Sequence, residues 1–283
     1  MPTTTTITAA EINKLRQTTG AGMMDCRKAL VESDGDFEKA IDYLRKKGQK
    51  VAALRSDREA KEGVIIAKTT ADNKTGLIIT LACETDFVAK NAEFVAFAQA
   101  IMDAAIRKNA NSLEEVLAIQ LDGASVADKI NDQVAKIGEK IQLARFEKID
   151  ADAVAAYIHG AYRMGVLVGL SKNTAAILDA GKDVAMQIAA MNPVAVSPDS
   201  VPSNVVERER AIVTEQIKND PKMAGKPDEM IDKIATGKLN AFFKENTLTA
   251  QAYVKDAGKT VGDYLKSIDA GVRVTEFKRV QLG

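Results

Sequence analysis

The 283-residue chain is predicted to be an α+β protein with an N-terminal three-helix domain, two related α+β subdomains and an inserted antiparallel helical hairpin. Three observations predict this. The first sixty residues carry helical apolar spacing and capping residues but no strand-like run. Farther on, the order strand, strand, helices, strand occurs twice, which suits two α+β units better than one mixed sheet. Two charged helical segments interrupt the second copy after a Pro-rich stretch, Asn192 to Pro202. The expected divisions are 1–56, 57–150, 151–202 joined with 247–283, and 203–246 for the insertion.

In the first domain, Thr8 and Glu11 have the spacing of a capping box, and Ile12 and Leu15 start an apolar face. Thr19-Gly20-Ala21-Gly22 breaks that helix, and Met23 to Glu32 starts the next. Asp36 is placed to cap a third helix, in which Phe37, Ala40, Ile41 and Leu44 recur at i, i+3, i+4 and i+7, and Gly48 is expected to end it. Three short helices bury little by themselves, so the domain is expected to dock on something. Met23 and Met24 point about 100° apart on a helix, so at most one can face this small core squarely. Methionine adapts to irregular surfaces, which makes the pair a candidate docking surface.

Gly63 to Thr70 and Leu77 to Cys83 read as two strands joined through Ala71-Asp72-Asn73-Lys74-Thr75-Gly76. Two or three helices follow. One presents Phe94, Phe97, Ala98 and Ile101 on a face; the last presents Val126, Ile130, Val134 and Ile137 behind the cap Ser125. Ile141 to Ile149 closes the unit as a strand. The second copy has strands at Val154 to His159 and Val166 to Leu170, a helix near Asp183 to Met191, a Thr260-capped helix (Val261, Tyr264, Leu265, Ile268) and a last strand, Val272 to Leu282. The inserted helices span about Asn204 to Asn219 and Asp228 to Asn246, with a turn containing Asp220-Pro221 and Gly225-Lys226-Pro227. Val205/Val206 and Ile212/Val213 repeat at seven, giving a narrow seam, while Glu207, Arg208, Glu209 and Arg210 face water.

Composition excludes several functions. Lys plus Arg and Asp plus Glu both number 39, so no global field draws the chain to nucleic acid or an anionic membrane. The densest basic stretch, Arg45 to Lys61, has seven Lys/Arg against two acids and no interleaved aromatics, so it reads as a helix end and a solvated linker. Two distant cysteines, Cys26 and Cys83, suit buried thiols in a reducing compartment. With no targeting segment visible and no apolar run near the ~18 residues of a membrane span, a cytoplasmic location is expected. The single histidine, His159, makes His-based metal sites and catalytic triads hard to build; its default reading is a structural or surface histidine. Gly20-Ala21-Gly22 lacks the third glycine and preceding strand of a dinucleotide fingerprint, and Gly258-Lys259-Thr260 lacks the first glycine of a phosphate loop. A binding protein without catalytic residues, metal or cofactor is favoured over an enzyme.

The most informative segment is Cys83-Glu84-Thr85-Asp86-Phe87-Val88-Ala89-Lys90, between the second strand and a helical pattern starting near Asn91. Turns favour small polar residues, so a Phe beside an acid there needs a reason. Phe87 either folds back into the local core or enters another protein.

This segment, together with Thr19-Gly20-Ala21-Gly22-Met23-Met24-Asp25-Cys26-Arg27-Lys28-Ala29-Leu30 and Tyr157-Ile158-His159-Gly160 followed by Gly165-Val166-Leu167-Val168, closely resembles the elongation factor Ts family. The matches are long, ordered and spread over most of the chain. The resemblance implies a ubiquitin-associated-like three-helix domain, two α+β subdomains, and the coiled-coil hairpin of longer members. It implies nucleotide exchange on elongation factor Tu as partner: displacement of its magnesium and release of GDP. Thr85, Asp86, Phe87 and Val88 correspond to the segment that dislodges magnesium, with Asp86 and Phe87 intruding between two partner helices. Met23, Met24, His159 and Gly160 are further candidate partner contacts. The hairpin mediates dimer contacts in some members, so a homodimer through it is a candidate state. Some relatives continue into a C-terminal helical module that grips the partner; the sequence ends at Gln281-Leu282-Gly283, so that contact is expected to be missing or reduced. The rival expectation is a ubiquitin-associated-type scaffold or RNA-binding module without exchange activity.

Overall fold

A computed structural model of the chain describes residues 7–221 and 227–283; the Gly225-Lys226 part of the expected hairpin turn lies outside the described residues. The architecture is α+β, and backbone contacts divide it into two compact units.

The first unit comprises residues up to Ile66, Leu77–Glu147 and Gln281–Gly283. It opens with α1 (Ala9–Thr19), α2 (Met23–Glu32) and α3 (Phe37–Leu54). The Thr8–Glu11 capping box forms as the spacing predicts, and Gly20 closes α1 in the left-handed conformation at φ 70°. Leu15, Cys26, Ala29, Leu30, Ala40 and Leu44 make the small core of the three helices. Asp36 caps α3 through the Lys39 amide, but Gly48 does not end that helix, which continues to Leu54. Its reason is packing. A Cβ at position 48 would lie 3.0 Å from Ala135 Cβ and 3.1 Å from the Asn131 carbonyl oxygen, so glycine is what lets α3 lie against a later helix. The docking that the small core called for is therefore on the helix Val126–Ile137.

Strands β1 (Glu62–Thr69) and β2 (Thr75–Cys83) follow, then a single helical turn α4 (Asp86–Ala89), α5 (Ala92–Arg107) and α6 (Leu113–Ala118). A short hairpin, β3 (Gln120–Leu121) with β4 (Ala124–Ser125), leads into α7 (Val126–Ile137) and β5 (Ile141–Asp150). Phe94, Ala98 and Ile101 of α5 and Val126, Ile130 and Val134 of α7 are buried, as their spacing predicts, and Met102 is buried beside them; Phe97 and Ile137 are only half-buried. The sheet order is β1-β2-β5.

The second unit, Ala67–Gly76 with Lys148–Val280, contains β6 (Ala153–His159), β7 (Met164–Leu170) and α8 (Ala175–Met191). After a 3₁₀ turn at Pro198–Ser200 come α9 (Ser203–Lys218) and α10 (Asp228–Asn246), the small hairpin β8 (Ala252–Tyr253) with β9 (Asp256–Thr260), α11 (Val261–Ile268) and β10 (Val274–Gln281). Its sheet order, β10-β7-β6, again places the second strand of the copy in the middle. Helix α8 begins eight residues before the expected Asp183, capped by Thr174. Gly181 obscures it in sequence, yet is required there: a Cβ would meet Leu170 Cδ1 at 2.7 Å and Ala155 Cβ at 2.8 Å.

The inserted helices pair through Val213, Ile217, Ile231 and Ala235. This differs from the seven-residue repeat expected on α9. Ile212 is exposed, Val205 and Val206 are half-buried, and the buried seam steps by four residues on each helix, neighbours one turn apart on a single face. Glu207, Arg208 and Arg210 are exposed and Glu209 is half-buried.

Candidate functional site

The segment after β2 is held from both sides. Glu84 accepts hydrogen bonds from Arg55 Nη1 and Arg58 Nη1, each at 3.0 Å, and from the Lys140 amide at 2.6 Å. Lys140 Nζ in turn donates to the Ser56 and Arg58 carbonyls. The basic linker is thus not merely solvated, since two of its arginines close on this carboxylate. Thr85 donates its amide to Glu139 Oε2 at 3.0 Å and its hydroxyl to Glu139 Oε1 at 2.6 Å. Beneath them the buried Cys83 thiol donates to the Thr85 carbonyl at 3.2 Å; burial first, and then the Glu139 charge, push that thiol up to about 12. It is therefore an inert thiol, not a nucleophile.

The donors around Glu84, the Lys140 amide first and then the two guanidinium groups, outweigh partial desolvation and hold its carboxyl at about 2. A carboxyl lowered in the folded state contributes stability above its ordinary value of 4.5 and loses it as pH falls from there toward about 2. Urea denaturation at pH 6 and pH 3 should therefore show a fall in midpoint that is smaller in Glu84→Gln. Equal falls in the two proteins would show that this clamp does not contribute.

On this base α4 makes one turn, with the Ala89 amide bonding the Thr85 carbonyl and the Lys90 amide bonding Asp86. Asp86 is paired with Lys90 Nζ at 2.7 Å, and that hydrogen bond lowers its carboxyl from the usual range. Ala89 is buried and Val88 half-buried, while Phe87 is 84% exposed. Of the two alternatives for Phe87, packing into the local core is excluded. Leaving a Phe in water forgoes about 1.5–3 kcal/mol of burial, and the clamps at Glu84 and Thr85 keep the turn from collapsing to recover it.

Met23 and Met24 open α2 immediately after its N-cap Gly22, and both are exposed, at 53% and 72%. The opposite face supplies Cys26, Ala29 and Leu30 to the core. Neither methionine packs internally. Met23→Ser/Met24→Ser should therefore leave the melting temperature within about 2 °C of wild type, since surface changes usually stay within ±0.5 kcal/mol, while weakening binding to a protein partner in a titration. Unchanged affinity would remove the pair from the docking surface.

His159 ends β6 and is exposed, its Nδ1 lying 2.9 Å from Tyr157 Oη on the same strand face. The turn to β7 then takes three successive left-handed residues, Gly160 (φ 62°), Ala161 (φ 51°) and Tyr162 (φ 70°). Two of these are not glycine, so the turn is held in a conformation that L residues rarely adopt.

Thr85–Val88 thus share one pinned turn, Met23 and Met24 lie in the same unit, and His159 and Gly160 belong to the other. Sequence reasoning missed Arg55, Arg58, Glu139 and Tyr157. Only Tyr157, two residues before His159 on a strand, left a readable signal. Among the described residues no group of His, Cys, Asp and Glu could hold a metal ion, and no helix is long and apolar enough to cross a membrane.

A family model described as "Elongation factor TS" matches residues 84–283, beginning at the clamped Glu84. The chain is 50% identical over 277 residues to "Elongation factor Ts" of Christiangramia forsetii, covering 98% of this chain and 99% of that relative. It is 49% identical over 278 residues to the same-named protein of Amoebophilus asiaticus, with 98% and 99% covered, and 44% identical over 279 residues to that of Porphyromonas gingivalis, with 98% of each covered. By the family model over residues 84–283 and by these relatives over 98% of its length, the chain belongs to the elongation factor Ts family.

Proposed function

We propose that the chain is a guanine-nucleotide exchange factor for elongation factor Tu, acting by binding and without covalent chemistry of its own. The observation that carries this reading is Phe87, 84% exposed on a turn whose two preceding residues are held by Arg55, Arg58, Glu139 and Lys140. An apolar side chain presented on a braced support is suited to wedge between elements of another protein. Phe87 enters an apolar crevice of the GTPase, and Asp86 and Val88 flank it. The displacement moves the groups that hold magnesium, and loss of that ion removes the largest local positive charge on the phosphates.

Linkage makes the effect reciprocal: nucleotide and factor weaken each other's binding by the same factor. A 10⁴-fold weakening requires about 5.5 kcal/mol of differential binding. Burial of one Phe supplies about 1.5–3 kcal/mol, so other surfaces share the work. Met23 and Met24 on one unit and the His159-Gly160 turn on the other are the contacts assigned to it.

The test is release of a fluorescent GDP analogue from elongation factor Tu. The protein should accelerate release at catalytic concentration, and excess GDP should dissociate the binary complex. Release at the intrinsic rate would overturn the exchange function and favour a scaffold.

A further inference from the structure

We propose that Glu139, which lies outside the recognised segment, is a positioning residue for Phe87, and that Thr85 works inward on Glu139. The proposal deepens the exchange reading and rests on it.

The chain crosses itself here in a reciprocal way. Residues 84 and 85 meet residues 139 and 140: the Glu84 carboxylate takes the Lys140 amide, and the Glu139 carboxylate takes the Thr85 amide. Gly138, left-handed at φ 81°, closes α7 and turns the backbone so that Glu139 can reach back. Thr85 stands at the N-cap position of α4, where a threonine hydroxyl ordinarily bonds an amide of the first turn. Here it makes no capping bond; the hydroxyl instead donates to Glu139 Oε1 at 2.6 Å. Both Thr85 donors are therefore spent on one carboxylate, a charge-assisted two-point contact that fixes the backbone at 85 in position and direction. Phe87 is two residues on, and its ring, 84% exposed, has no packing of its own to orient it. What sets the direction of its Cα–Cβ bond is the start of α4, and the start of α4 is set by Glu139.

This role has a signature that a general structural role lacks: it acts only through the ring at 87. The experiment measures GDP release from elongation factor Tu by full-length Glu139→Gln, made in the wild-type and in the Phe87→Ala background. Glutamine keeps the shape but loses the charge and can accept only one of the two donors. Exchange should fall by about tenfold in the wild-type background, the weight of a charge-assisted hydrogen bond, and should not fall further when Phe87 is already alanine. Thr85→Val, which removes only the hydroxyl, should lower exchange in the same conditional way and serves if Glu139→Gln fails to fold. Equal fold losses in both backgrounds would overturn the proposal, because Glu139 would then act independently of Phe87. So would wild-type exchange by Glu139→Gln beside a defective Phe87→Ala, a result that leaves the exchange reading intact. Wild-type exchange by Phe87→Ala would instead fail the wedge reading, and the positioning role with it.

Discussion

Phe87→Ala should slow GDP release from elongation factor Tu by roughly 10- to 100-fold, the factor that corresponds to losing about 1.5–3 kcal/mol of apolar burial. The fold should be unaffected. With Phe87 84% exposed, alanine leaves no cavity, so the cost of about 3–5 kcal/mol that follows truncation of a core Phe does not arise. Stopped-flow exchange and thermal unfolding measured on one preparation separate the two effects. Slow exchange with an unchanged melting temperature is the expected pair. A melting temperature several degrees lower would mean that the ring is held internally in solution, and normal exchange would mean that it does not enter the partner.

The second large effect is expected at Gly48. Helix propensity alone favours leucine over glycine in a helix interior by up to about 1 kcal/mol. Packing opposes it. The first atom of any side chain would sit 3.0 Å from Ala135 Cβ and 3.1 Å from the Asn131 carbonyl oxygen, and the latter moves only if the α7 backbone moves. A leucine adds three further carbons in the same direction, and overpacking of this kind costs typically 1–3 kcal/mol or more. The clash wins. Gly48→Leu should lower the urea midpoint, speed amide hydrogen exchange along the facing parts of α3 and α7, and weaken binding to elongation factor Tu as α1–α3 leave their seat. A variant as stable as wild type would show that the two helices separate freely.

Much of the fold was legible because local signals agreed with tertiary need. The Thr8–Glu11 box, the Asp36 cap and the 3.6-residue spacing from Phe37 to Leu44 marked α1 and α3, and the β-rich runs flanking residues 71–76 marked β1 and β2. Reading failed where long-range packing overrides a local rule. Gly48 and Gly181 look like helix breakers, but each is the contact point of a close-packed helix. The hairpins β3–β4 and β8–β9 have two to five residues a strand, too few for an alternation to show. The candidate site divides in the same way. Phe87 was conspicuous as a residue type out of place, but its support depends on partners of Glu84 and Thr85 that lie 26 to 56 residues from them, and no local pattern announces them.

The crossing of residues 84–85 with 139–140 also bears on the order in which the molecule becomes competent. Glu84 reaches back 29 residues to Arg55 and forward 56 to Lys140, and Thr85 reaches forward 54 to Glu139. While the chain is being made, at about 5–20 residues per second, the turn bearing Phe87 leaves the ribosome several seconds before Glu139 and Lys140, two of the residues that brace it. In that interval Arg55 and Arg58 are present to hold Glu84, but the Thr85 donors have no Glu139 to receive them, and a half-braced ring is better placed to join the nascent apolar strands than to enter another protein. If the proposed wedge is right, the ability to engage a partner is conferred late, once residues 139 and 140 are made, and a chain cut short before residue 139 would carry every residue of the recognised segment but only the Arg55 and Arg58 half of its brace.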